Sequence, residues 1–475
     1  MIWKTAWKNV WRNKIRSLVV LLSVTVGIFA GVFSVAFMNG MMDQRIDAAL
    51  NDEISHIQIT GKEFRINNDP QIIIENHDKT LSELNSVDGI AGITERTIIT
   101  GMANTASKST GVQVMGIDPE SERKVFTLYQ KIMPGTGSYF EEDTRSNQAL
   151  IGEDLAKDLN IIRYVIDSAS LERLKKKDVP AKILDKLAPL SGKRYNSEKK
   201  FIKDMKSLFS EEESKKYGSD IKQAAWSFRE GTRFTLTFLD NENNQVGAVF
   251  RLTGLYDIRN NIFEKSMVFV KNEDLKRLTG ISDNATHQII VRINNVEETE
   301  MLTSDLAKMF PGLEVMSWKK LQPDLAIMAD MVKQFYAIFM LIILAALAFG
   351  IVNTMLMVVL ERTRELGMLT AIGMNKKKVF MLIMLESVFL SIIGGIAGMI
   401  GGYGIILLTS KNGINFSQYA EGYEAYGFSA HVFPQIDAGF FVVITIMIIL
   451  TGVISSVYPA LKALKLNPVD AIRSE

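Results

Sequence analysis

The sequence predicts an α-helical membrane protein with four transmembrane helices and a large extracytoplasmic α+β domain between the first and second. Three observations predict it. Four apolar runs, at 17–38, 335–360, 379–408 and 438–458, each reach the roughly 20 residues needed to cross a hydrocarbon core. Between the first two lies a long polar segment, 39–334, in which the pattern changes to strand-like alternation. The last three runs follow one another closely. A chain of 475 residues that is 47% hydrophobic with a net charge of +1 is the average of these unlike parts.

Residues 1–16 precede the first run. Trp3, Trp7, Val10, Trp11 and Ile15 share one helical face, and Lys4, Lys8, Arg12 and Asn13 lie largely on the other. Tryptophan opposite lysine in this way predicts an amphipathic helix lying in the membrane interface. The run 17–38 is expected to be a permanent anchor. It exceeds the roughly 7–15 residues of a signal-peptide core, and no A-x-A-like cleavage site follows it.

Seven segments of 39–334 alternate and are bounded by Gly, Asn and Asp. They are 54–61, 96–104, 110–118, 233–239, 247–257, 265–270 and 287–293, with short helices expected near 273–278 and 297–309. One antiparallel or mixed sheet with helices on one face is the expected result. Residues 161–230 break the pattern: leucine and phenylalanine recur at helical spacing in a lysine-rich background, which predicts a helical insertion. Its basic surface fits either a solvated helical face or contact with anionic lipid or an acidic partner.

Orientation follows from the basic residues near the helix ends. Lys4, Lys8, Arg12, Lys14 and Arg16 precede the first run, Arg362, Arg364 and Lys376–Lys378 lie between the second and third, and Lys462, Lys465 and Arg473 follow the fourth. The loop 409–437 carries Lys411 against Glu421, Glu424 and Asp437. Both termini, the segment 361–378 and the tail 459–475 are therefore expected in the cytoplasm, with 39–334 outside.

In the third run Gly394, Gly398 and Gly402 recur every fourth residue beside Gly395 and Gly401, which predicts close approach of another helix, within the chain or across a dimer. Glu386 is a carboxylate well inside this run with no evident intramembrane partner. A hydrogen-bonding role is expected of it rather than proton relay.

The segment 361–378 interrupts the apolar runs. Leu360, Leu366, Met368, Leu369 and Ile372 supply apolar positions, Glu361, Arg362, Arg364 and Glu365 are charged, Gly367 lies within the stripe, and Gly373 offers a helix stop. This pattern predicts a short amphipathic helix that docks into a groove on another protein.

Catalysis has no support. The four histidines are scattered, so no metal site is expected, and no G-x-S-x-G elbow or G-x-x-x-x-G-K-[ST] phosphate loop occurs. The near-neutral charge gives no reason to expect nucleic acid. The absence of cysteine leaves the redox compartment open.

Three motifs in this order carry a resemblance. ERTRELGMLTAIGMNKKKV, ESVFLSIIGGIAGMIGG and YPALKALKLNPVDAIRSE (458–475) resemble the helix between the second and third spans, the third span and the C-terminal signature of the mechanotransmitting (type VII) ABC transporter permeases. SHIQITG, ALIGEDLAKDLNI and EGTRFTLTF look closest to the lipoprotein-releasing permeases, with macrolide-exporter permeases next. In those relatives the chain runs almost directly from the segment before Asn160 to the segment at Gly231, so 161–230 departs from the pattern. The resemblance implies a permease dimer, of two copies or of paralogues, working with two ABC ATPase subunits that bind ATP and Mg. It also implies a lipoprotein substrate and a periplasmic carrier. The helix 361–373 would dock on the ATPase, and an apolar holding site would lie near the outer ends of the first two spans. Phe33, Phe37, Met38, Met41, Met331, Phe335 and Phe339 are the apolar residues available there.

Overall fold

A computed structural model describes residues 2–141, 146–177, 179–228 and 231–464. The end of the expected C-terminal signature, with Lys465 and Arg473, lies outside the described residues. The chain forms two compact units, one of long helices and one, Arg45–Pro323 with Glu421–Phe428, built on a sheet.

In the helical unit an amphipathic helix, Ile2–Arg12, leads into the first long helix, Lys14–Ala48. The second long helix is Pro323–Glu361, the third Lys376–Asn412 and the fourth Ala438–Leu464. All four are long and apolar enough to cross a membrane. At about 1.5 Å per residue the first two exceed 50 Å, well beyond a hydrocarbon core of about 30 Å. The apolar run 17–38 is therefore the first part, and 335–360 the last part, of a longer rod.

The glycines of the third helix meet neighbours within the chain. A Cβ at Gly394 would lie 2.8 Å from Val24, one at Gly398 2.7 Å from the Thr25 carbonyl, and one at Gly402 3.0 Å from Val32. That face is therefore closed by the first long helix. Gly395 faces Ile448 of the fourth helix at 2.8 Å and Gly401 faces the Phe29 ring at 3.4 Å. Thr25 donates to the Gly394 carbonyl at 3.2 Å, a bond that so close a backbone approach permits.

The sheet unit is built on nine strands of one sheet. In chain order these are β1 (Ile57–Gly61), β2 (Ile90–Asn104), β3 (Ser109–Ile117), β4 (Gln148–Gly152), β8 (Arg233–Leu239), β9 (Gln245–Tyr256), β10 (Met267–Lys271), β11 (Gln288–Ile293) and β12 (Leu313–Ser317). The insertion carries β5 (Arg163–Val165), β6 (Arg194–Tyr195) and β7 (Trp226–Ser227). Spatial order in the large sheet is β12-β1-β11-β2-β3-β10-β4-β9-β8, and the far end of β2 also pairs with β8. β3 with β10 and β4 with β9 are parallel, so the sheet is mixed.

Seven of these strands coincide with the alternating segments. β4 and β12 did not register: β4 is buried at all five positions, so it shows no alternation to detect. Helices on one face alone is corrected. Val112 and Val114 of β3, with Val268 and Val270 of β10, enter one apolar cluster. Met115, Ile117 and Phe269 of the same strands enter a second cluster with Tyr256, Leu128 and Phe263. Apolar residues at both parities of a strand require cover on both faces.

The insertion contains helices Ser168–Lys176, Ala181–Lys186, Glu198–Lys206 and Glu211–Ala225, and also the three-stranded sheet β6-β5-β7, which its helical spacing did not foretell. Two helices begin at reciprocal capping boxes, Asp167 with Ser170 and Ser210 with Glu213. Leu174, Leu187, Phe201 and Ile221 join the cluster lined by β3 and β10, so the insertion shares the core of its unit.

Candidate functional site

The site begins with the local chemistry of the short helix Thr363–Ala371. The second long helix stops at Glu361, and the short helix opens at Arg362, whose φ of −99° and ψ of 17° lie outside the helical region. It closes on a Schellman motif: the Met374 N–H donates to the Leu369 carbonyl at 2.9 Å and the Gly373 N–H to the Thr370 carbonyl at 3.1 Å. Gly373 has a φ of +95°, which a side chain would strain. Asn375 then caps the third long helix by accepting from the Lys377 N–H at 2.9 Å. The sequence GMNKKK thus ends one helix and starts the next within three residues.

The apolar stripe of this helix divides. Leu366 and Gly367 are buried, and Leu369 and Met374 pack against the helix cluster. Met368 stays about half exposed and Ile372 is 85% exposed. The surface open to a partner is thus Met368 and Ile372, with Leu369 facing inward.

The charged residues divide too. Arg362 donates through Nη1 to both Glu386 oxygens, at 3.1 and 3.3 Å, and through Nε to Glu365 at 3.0 Å. Asn9 Nδ2 donates to Glu386 Oε1 at 2.6 Å. Glu386 therefore has two partners, correcting the expectation that it had none. Arg12 donates to Glu365 at 2.6 Å, and Arg16 pairs with Glu361. All of these groups except Glu365 line a cavity of about 250 Å³ that also includes Asn13 and Ser17. Arg364 is exposed and has no ion pair among the described residues.

Burial works against the Arg362 charge, but Glu386 and Glu365 outweigh it and raise its pKa above the ordinary arginine value. The hydrogen bond from Arg12, with the Arg362 charge beside it, holds the Glu365 carboxyl below its usual range. The arrangement is a chain of alternating charges running from the amphipathic helix through the short helix to the third long helix. The short helix is thereby tied to both.

The amphipathic helix packs through Ala6 and Val10, both buried, while Trp3 and Trp7 set their ring edges near Phe389 at centroid distances of 5.7 and 5.6 Å. Arg12 and Arg16 escaped as partners because they read as orientation signals, and Asn9 because a lone amide beside charged neighbours gives no pairing signal. Three carboxylates, Glu361, Glu365 and Glu386, near one set of helix ends were the signal that could have found them.

The seven apolar residues near the outer ends of the first two spans are not arranged alike. Phe33 packs into the helix cluster, Phe37 lies edge-on to Phe416 at 5.7 Å, and Met38 and Met41 are half-buried. Met331, Phe335 and Phe339 of the second long helix are exposed. Among the described residues no group of three or more His, Cys, Asp or Glu could hold a metal ion.

Residues 337–468 match the FtsX-like permease C-terminal family and residues 17–167 match the MacB-like periplasmic core domain. Over 235 residues the chain is 26% identical to the lipoprotein-releasing system transmembrane protein LolC of Xylella fastidiosa, a match covering 48% of this chain and 55% of LolC. It is 26% identical over 303 residues to an ABC transporter permease of Methanocaldococcus jannaschii, across 59% of this chain and 73% of that one. It is 35% identical over 126 residues to the macrolide export ATP-binding/permease protein MacB of Chlorobium luteolum, across 26% of this chain and 16% of MacB. The chain thus spans about half the length of LolC.

Proposed function

We propose that this chain, which matches a MacB-like periplasmic core domain over residues 17–167 and the FtsX-like permease C-terminal family over 337–468, is an ABC transporter permease that extracts lipoproteins from the inner membrane. ATP, with Mg, is bound and hydrolysed by two copies of a separate ABC ATPase. The permease is itself non-catalytic and works as a dimer with a second copy or a paralogue. Both termini and the short helix face the cytoplasm, and the sheet unit faces the periplasm, where a lipoprotein carrier receives the cargo.

The observation that carries this reading is the short helix itself. Its outer surface offers Met368, Ile372 and Arg364, while Arg362 and Glu365 fasten it to the third long helix and to the amphipathic helix. A partner gripping the exposed side moves the spans because the inner side is tied to them. The task demands such an input: each lipid CH₂ withdrawn from a bilayer costs about 0.8 kcal/mol. Phe33, Phe37, Met38, Met41, Met331, Phe335 and Phe339 are the surface on which the acyl chains would rest.

Similarity to LolC favours lipoprotein as the substrate, and the higher identity to MacB over a shorter stretch favours a second reading, export of a small molecule from the outer leaflet. Depleting the chain and following lipoproteins between the two membranes separates these. Retention in the inner membrane is expected; unaltered sorting together with increased drug sensitivity would select the second reading.

A further inference from the structure

The small sheet of the insertion has two unlike faces. Register pairs Tyr164 with both Tyr195 and Trp226, placing these three aromatics in one row. All three pack on the core cluster, and Tyr164 stacks on Phe201 at 5.3 Å. The same register pairs Arg163 with Ser227 and Val165 with Arg194, which places two arginines and a serine together on the opposite face. That face lines a cleft of about 740 Å³, whose other walls include Thr105, Ser107, Asn160 and Arg233.

The charge in this cleft is unbalanced. Among the described residues the guanidinium groups of Arg163, Arg194 and Arg233 make no ion pair. Asp167 is the cleft's carboxylate, and it is committed to capping its own helix, accepting from the Ser170 N–H at 2.8 Å and the Ser170 hydroxyl at 2.6 Å. The whole stretch 161–230 carries seventeen Lys and Arg against eleven Asp and Glu. Like charges at diagonal positions on one sheet face, about 7–8 Å apart, repel each other. Among the described residues no carboxylate pairs with them, although serine and threonine positions lie alongside.

We infer that this cleft binds a ligand bearing several phosphate groups, held by Arg163, Arg194 and Arg233. Arginine presents forked donors that fit phosphate oxygens two at a time, and hydroxyl groups of serine and threonine supply further donors. The volume exceeds what one phosphate needs, so the ligand is a multiply phosphorylated solute or a phosphate-rich lipid headgroup.

The test uses the full chain in nanodiscs of phosphatidylcholine. Inorganic tripolyphosphate is titrated at low and high salt, and phosphatidylcholine vesicles containing cardiolipin, whose headgroup carries two phosphates, are compared with vesicles of phosphatidylcholine alone. Saturable, salt-sensitive binding to tripolyphosphate or selective binding to the cardiolipin vesicles is expected, and which probe binds identifies the source. The double variant Arg163→Ala/Arg194→Ala, which alters exposed side chains, should weaken that binding at least about tenfold. Arg163→Lys/Arg194→Lys should be intermediate, since charge remains while the fork is lost. Lys199→Ala/Lys200→Ala, two exposed lysines outside the cleft lining, should bind as the parent does. The inference is overturned if neither probe binds the parent chain, if the arginine double variant binds unchanged, or if the lysine double variant loses as much.

Discussion

Arg362 and Glu386, 24 residues apart in sequence, meet through one guanidinium nitrogen that lies 3.1 and 3.3 Å from the two carboxylate oxygens. Their side chains are 14% and 5% exposed, so the pair is largely withdrawn from water. Breaking one side of such a pair leaves a buried charge, at a cost of about 3–5 kcal/mol. Arg362→Ala should therefore lower the thermal stability of the detergent-solubilised chain sharply. Arg362→Ala/Glu386→Ala should cost less than the sum of the two single variants, and strictly additive losses in a double-mutant cycle would contradict the pairing.

Leu369 and Ile372 separate folding from docking. Ile372→Asp changes a side chain that is 85% exposed and should leave the melting temperature unchanged while abolishing co-purification with the proposed ATPase partner. Leu369→Asp places a carboxylate against the helix cluster and should destabilise the chain itself. Equal stability of the two variants would be incompatible with an inward Leu369.

Gly398 and Gly404 test the packed glycine face. A Cβ at Gly398 would stand 2.7 Å from the Thr25 carbonyl and 2.9 Å from Ile28, whereas one at Gly404 meets nothing within 4 Å. Gly398→Ala should cost about 1–3 kcal/mol through overpacking against the first long helix. Gly404→Ala should leave thermal stability unchanged or slightly raised. A neutral Gly398→Ala would mean that the two helices are not in contact there.

Glu264 makes stability fall as pH rises. Burial, reinforced by the Asp257 charge, pushes its carboxyl up to about 8, while its Oε1 accepts from the Ile258 and Arg259 N–H groups at 2.9 and 3.0 Å. Between an ordinary value near 4.5 and about 8 the folded chain holds a proton that the unfolded chain has lost, so stability declines through that window. His56 is depressed to about 4 by burial and by Arg292, and contributes stability that rises with pH between about 4 and 6.5. Measurement from pH 6.5 to 8 avoids the histidine. Unfolding temperature should drop across that interval, and Glu264→Gln should flatten the drop. An unchanged slope in the variant would assign the effect to another group.

The plan of the chain was legible because its signals are local. A run of about 20 apolar residues, an alternating strand or a glycine every fourth position needs no distant partner to be recognised. The seven alternating strands, the four long helices and the stop at Gly373 belong to this class. Features without a local period escaped: the uniformly buried β4, and the three small strands of the insertion, each two or three residues long.

The amino-acid sequence by itself determined which segments are apolar enough to span a membrane, where the strands of the intervening unit run, and that a charged helix interrupts the spans. Only the tertiary structure decided what that helix does with its charges. Arg362 could as well have faced a partner, and Glu386 could have remained alone, until folding brought Asn9 to Glu386 across 377 residues and Arg12 to Glu365 across 353. Helical periodicity assigns a side chain to a face. Which other helix closes that face depends on packing among distant segments, and a carboxylate in an apolar environment takes whichever donor that packing delivers.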